Sequence, residues 1–315
     1  MESDGAEVND SAGASSVSRG VITLAFGSKT YVEVARSLAR SIRLNSPGAV
    51  IAIVSDFPRD TLIDDFDIVI PLEPNHPGLY HKLALDKYSP FDETMFIDSD
   101  CLVVRDLGPL WSVLDRREFA VAGAMVSSGT WFGADIEVLC DRLGVDELPK
   151  FNSGWIAWRR GREASEVFGR ARSSWQEYRA LGFDQFRATL AVADEPLIAI
   201  GMALAGTRPV PDDGSMMNTP IGLRGPLRVN TSRGTAQFMK YEMLARPAIV
   251  HFCGPHRFGA VYRRETAILR TGNSSWISRV LQRVIALVYA PLALTDRSFF
   301  WDTARRLRRA IDAGR

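Results

Sequence analysis

Cysteine is scarce: 315 residues contain only Cys101, Cys140 and Cys253. The number is odd and no two stand at Cys-x-x-Cys spacing, which excludes a disulfide framework and a cysteine zinc site and points to a reducing cytoplasm. Long apolar runs are missing too. The nearest candidate, VIALVYAPLAL from Val284 to Leu294, falls short of the roughly 18 residues a membrane-spanning helix needs and is broken by Pro291. Charge of one sign is not in excess, with 38 Lys and Arg against 37 Asp and Glu, so nothing argues for nucleic acid as a partner. No Gly-x-Gly-x-x-Gly follows the first apolar strand, which counts against a dinucleotide-binding oxidoreductase. Residues 1 to 19 are small, polar and acidic, without the basic start and apolar middle of a secretory signal, and read as a disordered tail. What remains is an ordinary globular composition, 46% apolar and 24% charged, on a chain long enough for one large α/β domain or two small ones.

The hydrophobic pattern alternates between strand and helix periods. GVITLA (Gly20 to Ala25) reads as a buried strand, and Tyr31 to Arg43 follows with helical spacing. Val50 to Val54, Asp67 to Leu72 and Thr94 to Ile97 are further strands, with a short helix over Lys82 to Tyr88. This order predicts an α/β fold with a mostly parallel sheet and helices on both faces. Phe119 to Ala124 and Asn152 to Arg159 add strands, Glu163 to Ala180 a long helix, and Asp194 to Leu204 a helix with Asp194 as N-cap and Pro196 in its first turn. Thr207 to Gly234 is rich in Gly and Pro and reads as an irregular loop able to close over a substrate. AIVHF (Ala248 to Phe252) is a last strand, running into Cys253-Gly254-Pro255-His256-Arg257.

The most informative segment is FDETMFIDSDCLVVRD, Phe91 to Asp106, where the apolar strand ends in Asp98-Ser99-Asp100. Ligands of open α/β sheets bind beyond the carboxyl ends of the strands, so both carboxylates stand where a substrate arrives. Residues two apart on an extended strand point the same way, which lets the pair share a cation. Hard ions such as Mg²⁺ and Mn²⁺ take carboxylate and phosphate oxygens, and a diphosphate is the natural third party. The same three residues also make an ordinary solvated turn.

Residues 271 to 315 form a C-terminal helical extension of two helices divided near Asp296, with Arg279 and Arg283 in the first and Arg305, Arg306, Arg308 and Arg309 in the second. A basic amphipathic end can lie on an anionic membrane face, giving a peripheral contact, or can dock on the core with solvated arginines.

Four segments in this order resemble the retaining glycosyltransferases of family 8: TLAFGSKTY from Thr23, HKLALDKYSPFDETMFIDSDCLVVRDLGPLW from His81, FNSGWIAWR from Phe151, and HFCGPHR from His251. The resemblance spans residues 20 to about 265 and implies a GT-A catalytic domain over 20–270, in which a Rossmann-like nucleotide half joins an acceptor half. It implies Asp98, Asp100 and His251 as ligands of Mn²⁺ or Mg²⁺. Imidazole beside two carboxylates favours manganese, although a His ending an apolar strand is also a common core residue.

The same resemblance places Lys82 and Arg257 on the donor diphosphate, where each would offset charge on the leaving group. Either can equally be a surface cation. It sets Leu24, Ala25, Phe26 and Tyr31 at the nucleotide base, and Ser99 and Gly254 among the donor-binding residues. Asn152-Ser153-Gly154 matches the turn whose Asn faces the donor sugar. Asp194 would bind sugar hydroxyls. Glu195 stands where the family carries Gln near the anomeric carbon, and a carboxylate there can act as a nucleophile where an amide is a poor one. Asp194-Glu195-Pro196 is also a good helix start on dipole grounds alone. The implied activity is metal-dependent transfer of a hexose from a nucleotide diphosphate sugar, a UDP-sugar first, to a hydroxyl acceptor. A sugar-phosphate nucleotidyltransferase and a catalytically silent nucleotide-sugar binding protein are the alternatives.

Overall fold

A computed structural model describes residues 19–184 and 192–272, with isolated helical positions at 280–281, 284–285 and 287–289. The remainder of the tail and most of the C-terminal extension lie outside the described residues. Arg19, expected in the tail, instead opens the first strand and pairs with Glu93.

The first half alternates strand and helix. β1 (Arg19–Leu24) leads to α1 (Lys29–Asn45), whose N-cap Ser28 accepts from the Thr30 amide at 3.3 Å. β2 (Ile51–Ser55) and β3 (Ile68–Pro71) follow. The helix expected over Lys82 to Tyr88 is two single turns, α2 (Tyr80–Leu83) and α3 (Leu85–Tyr88), hinged at Ala84. β4 (Glu93–Ile97) and β5 (Cys101–Val103) then flank the acid pair.

Beyond them come α4 (Gly108–Trp111), β6 (Phe119–Ala120), β7 (Ala122–Val126) and the small hairpin of β8 (Thr130–Trp131) and β9 (Ala134–Asp135). α5 (Ile136–Leu143), β10 (Leu148–Phe151), β11 (Trp155–Arg159) and α6 (Arg162–Ser173) complete this part. α7 (Asp194–Leu204) begins with Asp194 already inside the helix and Ala193 as the cap. The Asp194 side chain is therefore free for another partner.

The segment from Thr207 to Gly234 is not irregular. It holds β12 (Val210–Pro211), β13 (Met217–Asn218) and β14 (Leu223–Asn230), and β14 pairs antiparallel with β15 (Thr235–Lys240), which pairs with β16 (Met243–Ala245). β17 (Ile249–His251) and α8 (Ala260–Thr271) end the described domain.

The main sheet has six strands in the order β3-β2-β1-β4-β11-β6. The first four are parallel; β11 runs antiparallel to both β4 and β6. Period-two alternation divides its side chains between two cores. Val21, Ile51, Ile53, Met95, Ile97 and Trp155 face α1 and its Val32, Ala35, Leu38 and Ile42. Ile22, Ala52, Val54, Phe96, Ile156 and Trp158 face α6 and α7. Strands buried on both faces explain the near-continuous apolar runs of β1, β2 and β4. Because β2 and β4 lie on opposite sides of β1, the strand order reverses there, and the crevice at the carboxyl ends of β1 and β4 is the expected ligand site.

Candidate active site

That crevice opens into a cavity of about 850 Å³. β1 delivers Leu24, Ala25 and Phe26 to its wall, and β4 delivers Asp98, Ser99 and Asp100. The acid pair is not an extended continuation of β4: the Cys101 amide bonds the Asp98 carbonyl at 3.0 Å, closing a turn. A neighbouring strand unites the two carboxylates. β17 pairs antiparallel with β5, setting His251 opposite Cys101. His251 Nε2 then lies 3.0 Å from Asp100 Oδ1 and 3.7 Å from Asp98 Oδ2.

The turn before β11 forms the floor. Its Gly154 has no room for a side chain, since a Cβ there would fall 2.3 Å from His251 Nδ1. Gly154 is the one sequence candidate that does not line the cavity; it packs beneath the imidazole instead. Asn152 Oδ1 lies 2.6 Å from His251 Nδ1, and Asn152 Nδ2 donates to Glu195 Oε2 at 2.8 Å. The Ser153 amide donates to the same Glu195 oxygen at 3.0 Å.

Lys82, expected on the donor diphosphate, is turned inward. Its ammonium lies 3.0 Å from Asp98 Oδ2, 2.8 Å from Asp194 Oδ2 and 3.0 Å from Ser153 Oγ. Two of these contacts, to Asp98 and Ser153, are hydrogen bonds, and the third is an ion pair with Asp194 whose geometry is not that of a hydrogen bond. Arg257 stands at the rim, its guanidinium 5.3 Å from the Tyr31 ring centre and 4.8 Å from that of Phe258. Gly254 lines the same rim.

The wall also contains Trp131, Phe132, Leu79 and Cys253, which were not among the expected site residues, and Ile221 from the segment expected to close over a substrate. Trp131 and Phe132 sit in the β8–β9 hairpin, with Phe132 at a φ of 46°. An aromatic pair bracketed by Gly129 and Gly133 in a polar stretch was the available signal.

No protein-family model matches this chain, and no curated protein matches its sequence. Among solved structures, an active-site variant of LgtC with glutamine replaced by glutamate aligns at a TM-score of 0.50 and 14% identity, covering 85% of this chain and 95% of that one. The chain has a GT-A-like glycosyltransferase fold. The galactosyltransferase LgtC with donor and acceptor sugar analogues aligns at 0.48 and 16% identity, covering 75% of this chain and 87% of that one. GlyE of Streptococcus pneumoniae TIGR4 aligns at 0.42 and 16% identity, over 62% of this chain and 46% of GlyE, so the chain spans less than half of GlyE's length.

Within this GT-A-like crevice the charges are mutually dependent. Burial pushes the Lys82 ammonium down, but Asp194 and Asp98 outweigh it and hold the group above its ordinary range. Burial raises the Asp98 carboxyl despite the pull of Lys82 and His251. For Asp100 burial also acts upward, yet the imidazole of His251 prevails and the carboxyl lies low. Burial disfavours charge on His251, and Asp100 reverses that, so its pKa is raised. Glu195 is pushed up to about 7 by burial and by the neighbouring Asp194.

The donor set suits a hard or borderline divalent ion. Ligand atoms of Asp100, Cys101 and His251 lie within 4.8 Å of one another. The Cys101 thiol, however, is fully buried, donates to the Gly154 carbonyl at 3.6 Å and does not line the cavity. Asp98, Asp100 and His251, by contrast, all line it.

Proposed function

We propose that this protein is a metal-dependent glycosyltransferase that moves a hexose from a nucleotide diphosphate sugar, a UDP-sugar first, to a hydroxyl acceptor. The observation that carries the reading is the convergence of Asp98, Asp100 and His251 at the point where strand order reverses, in one cavity with Asp194 and Glu195. Mn²⁺ or Mg²⁺ on that trio supplies Lewis-acid stabilisation of the departing diphosphate. Leu24, Ala25, Phe26 and Tyr31 offer an apolar and aromatic wall for the base, and Arg257 at the rim offers a cation to the phosphates.

Lys82 takes a different part from the one expected. Hydrogen-bonded to Asp98 and Ser153 and ion-paired with Asp194, it holds two carboxylates together rather than reaching into solvent for a phosphate. Asp194, so held, faces the sugar hydroxyls. Glu195 in its ionised form can stabilise positive charge at the anomeric carbon or attack it. With its carboxyl near 7, kcat/KM rises with pH through a limb near neutrality, and Glu195→Gln removes that limb.

The test is incubation with Mn²⁺ and a panel of nucleotide sugars, the nucleotide products being followed by chromatography. Release of a nucleoside diphosphate from one donor supports the reading. Formation of nucleoside triphosphate when pyrophosphate is added points to a nucleotidyltransferase and overturns it. Retention at the anomeric centre is read from the NMR coupling of the product, and an inverted product contradicts it.

Membrane contact belongs to the same proposal. Among the described residues no helix is long and apolar enough to cross a bilayer. Val280, Leu281, Val284, Leu287 and Val288 are all exposed, which supports a peripheral contact over a docked helical cap.

A further inference from the structure

We infer that Asn152 is a positioning residue that selects the metal-facing nitrogen of His251 and pins the Glu195 carboxylate. The inference rests on the metal reading above. The atoms fix the arrangement in order. The Gly154 amide lies 3.1 Å from Asn152 Oδ1, and because an N–H can only donate, that atom is the carbonyl oxygen of the side chain. The same oxygen is 2.6 Å from His251 Nδ1, so Nδ1 carries a proton and donates it. Nε2 is left as the nitrogen that faces Asp100 and Asp98. A metal takes imidazole through a lone pair, and the partner of the other nitrogen decides which one offers it.

The opposite end of the amide acts on Glu195. Oε2 accepts from both Asn152 Nδ2 and the Ser153 amide, while Oε1 has no hydrogen-bond partner among the described residues. One oxygen is fixed and the other is left for chemistry. Both lone pairs of Asn152 Oδ1 are used, and the floor beneath is closed by Gly154 against the imidazole. A single planar amide thus links His251 and the Glu195 carboxylate, a link that no other side chain among the described residues makes by direct hydrogen bonds.

Two variants of the full chain separate the roles. Asn152→Ala removes both. Asn152→Asp keeps an acceptor for His251 and Gly154 but cannot donate to Glu195 and sets a second carboxylate against it. Mn²⁺ affinity without donor, from the electron paramagnetic resonance signal of free Mn²⁺, is expected to fall about 10- to 100-fold in Asn152→Ala. In Asn152→Asp it remains close to that of the unaltered chain, while the neutral limb of kcat/KM moves to higher pH. A purely structural side chain would give parallel losses in both variants and no shift of the limb. Unchanged Mn²⁺ affinity in Asn152→Ala overturns the inference. If that variant does not fold, Asn152→Asp decides alone: retained affinity with a raised limb supports the inference, and lost affinity or an unmoved limb overturns it. Failure of the unaltered chain to bind Mn²⁺ instead overturns the metal reading itself.

Discussion

Glu195 is a carboxyl that its surroundings keep near 7 against an ordinary 4.5, facing Asp194, Lys82 and His251, with Lys240 also within its field. A carboxyl raised on folding binds more protons in the native state than in the unfolded one between those two values. Stability therefore falls as pH rises from about 4.5 to about 7, and the loss is complete above that window. Glu195→Gln, which cannot ionise, is predicted to flatten this slope and to gain about 1 kcal/mol over the unaltered chain at pH 8, measured by urea unfolding at pH 5 and pH 8. Lys82 shows the converse logic. It is 4% exposed and holds two acids together. Lys82→Ala leaves both carboxylates buried without their counter-ion and is predicted to cost about 3–5 kcal/mol in metal-free unfolding, with excess Mn²⁺ recovering part of the loss.

Elements, in turn, depend on a few close approaches. α7 crosses α6 where Gly201 touches the backbone, and a Cβ there would fall 2.2 Å from the Val167 carbonyl oxygen. Gly201→Ala is predicted to cost about 1–3 kcal/mol and to lower Tm by several degrees in a thermal melt, with the carboxylate cluster untouched. Legibility in the sequence follows the same physics. β1, β2 and β4 were readable because both their faces are buried, which makes the apolar run continuous. β14 was not: LRGPLRVN carries Gly, Pro and two arginines, and its pairing with β15 is a long-range fact that composition hides. Asp98 and Asp100 stood out, and a turn between them was one of two local readings, but their approach to His251 depends on β17 pairing with β5 from 150 residues away. Lys82 was visible as a cation, whereas its three partners lie on three other segments and leave no local pattern. Trp131 and Phe132 enter the cavity from a hairpin of two-residue strands, too short for any periodicity.

At the scale of the whole molecule, the parallel strands and the reversal at β1 place the crevice at the carboxyl ends of β1 and β4, and the basic C-terminal extension follows α8 in sequence. The peripheral-contact reading predicts that the full chain sediments with vesicles of anionic lipid, that a chain ending at Arg270 does not, and that added salt weakens the association. Sedimentation of both, or of neither, would contradict it. Asp98, Asp100 and His251 would hold a divalent cation that offsets charge on the departing diphosphate, and UDP release from UDP-sugars by the unaltered chain and by Asp100→Ala, each with and without Mn²⁺, tests this. The account predicts release that requires Mn²⁺ and falls by about 100-fold or more in Asp100→Ala, consistent with several kcal/mol of charge stabilisation from the metal. Equal release without metal, or full turnover by Asp100→Ala, would contradict it.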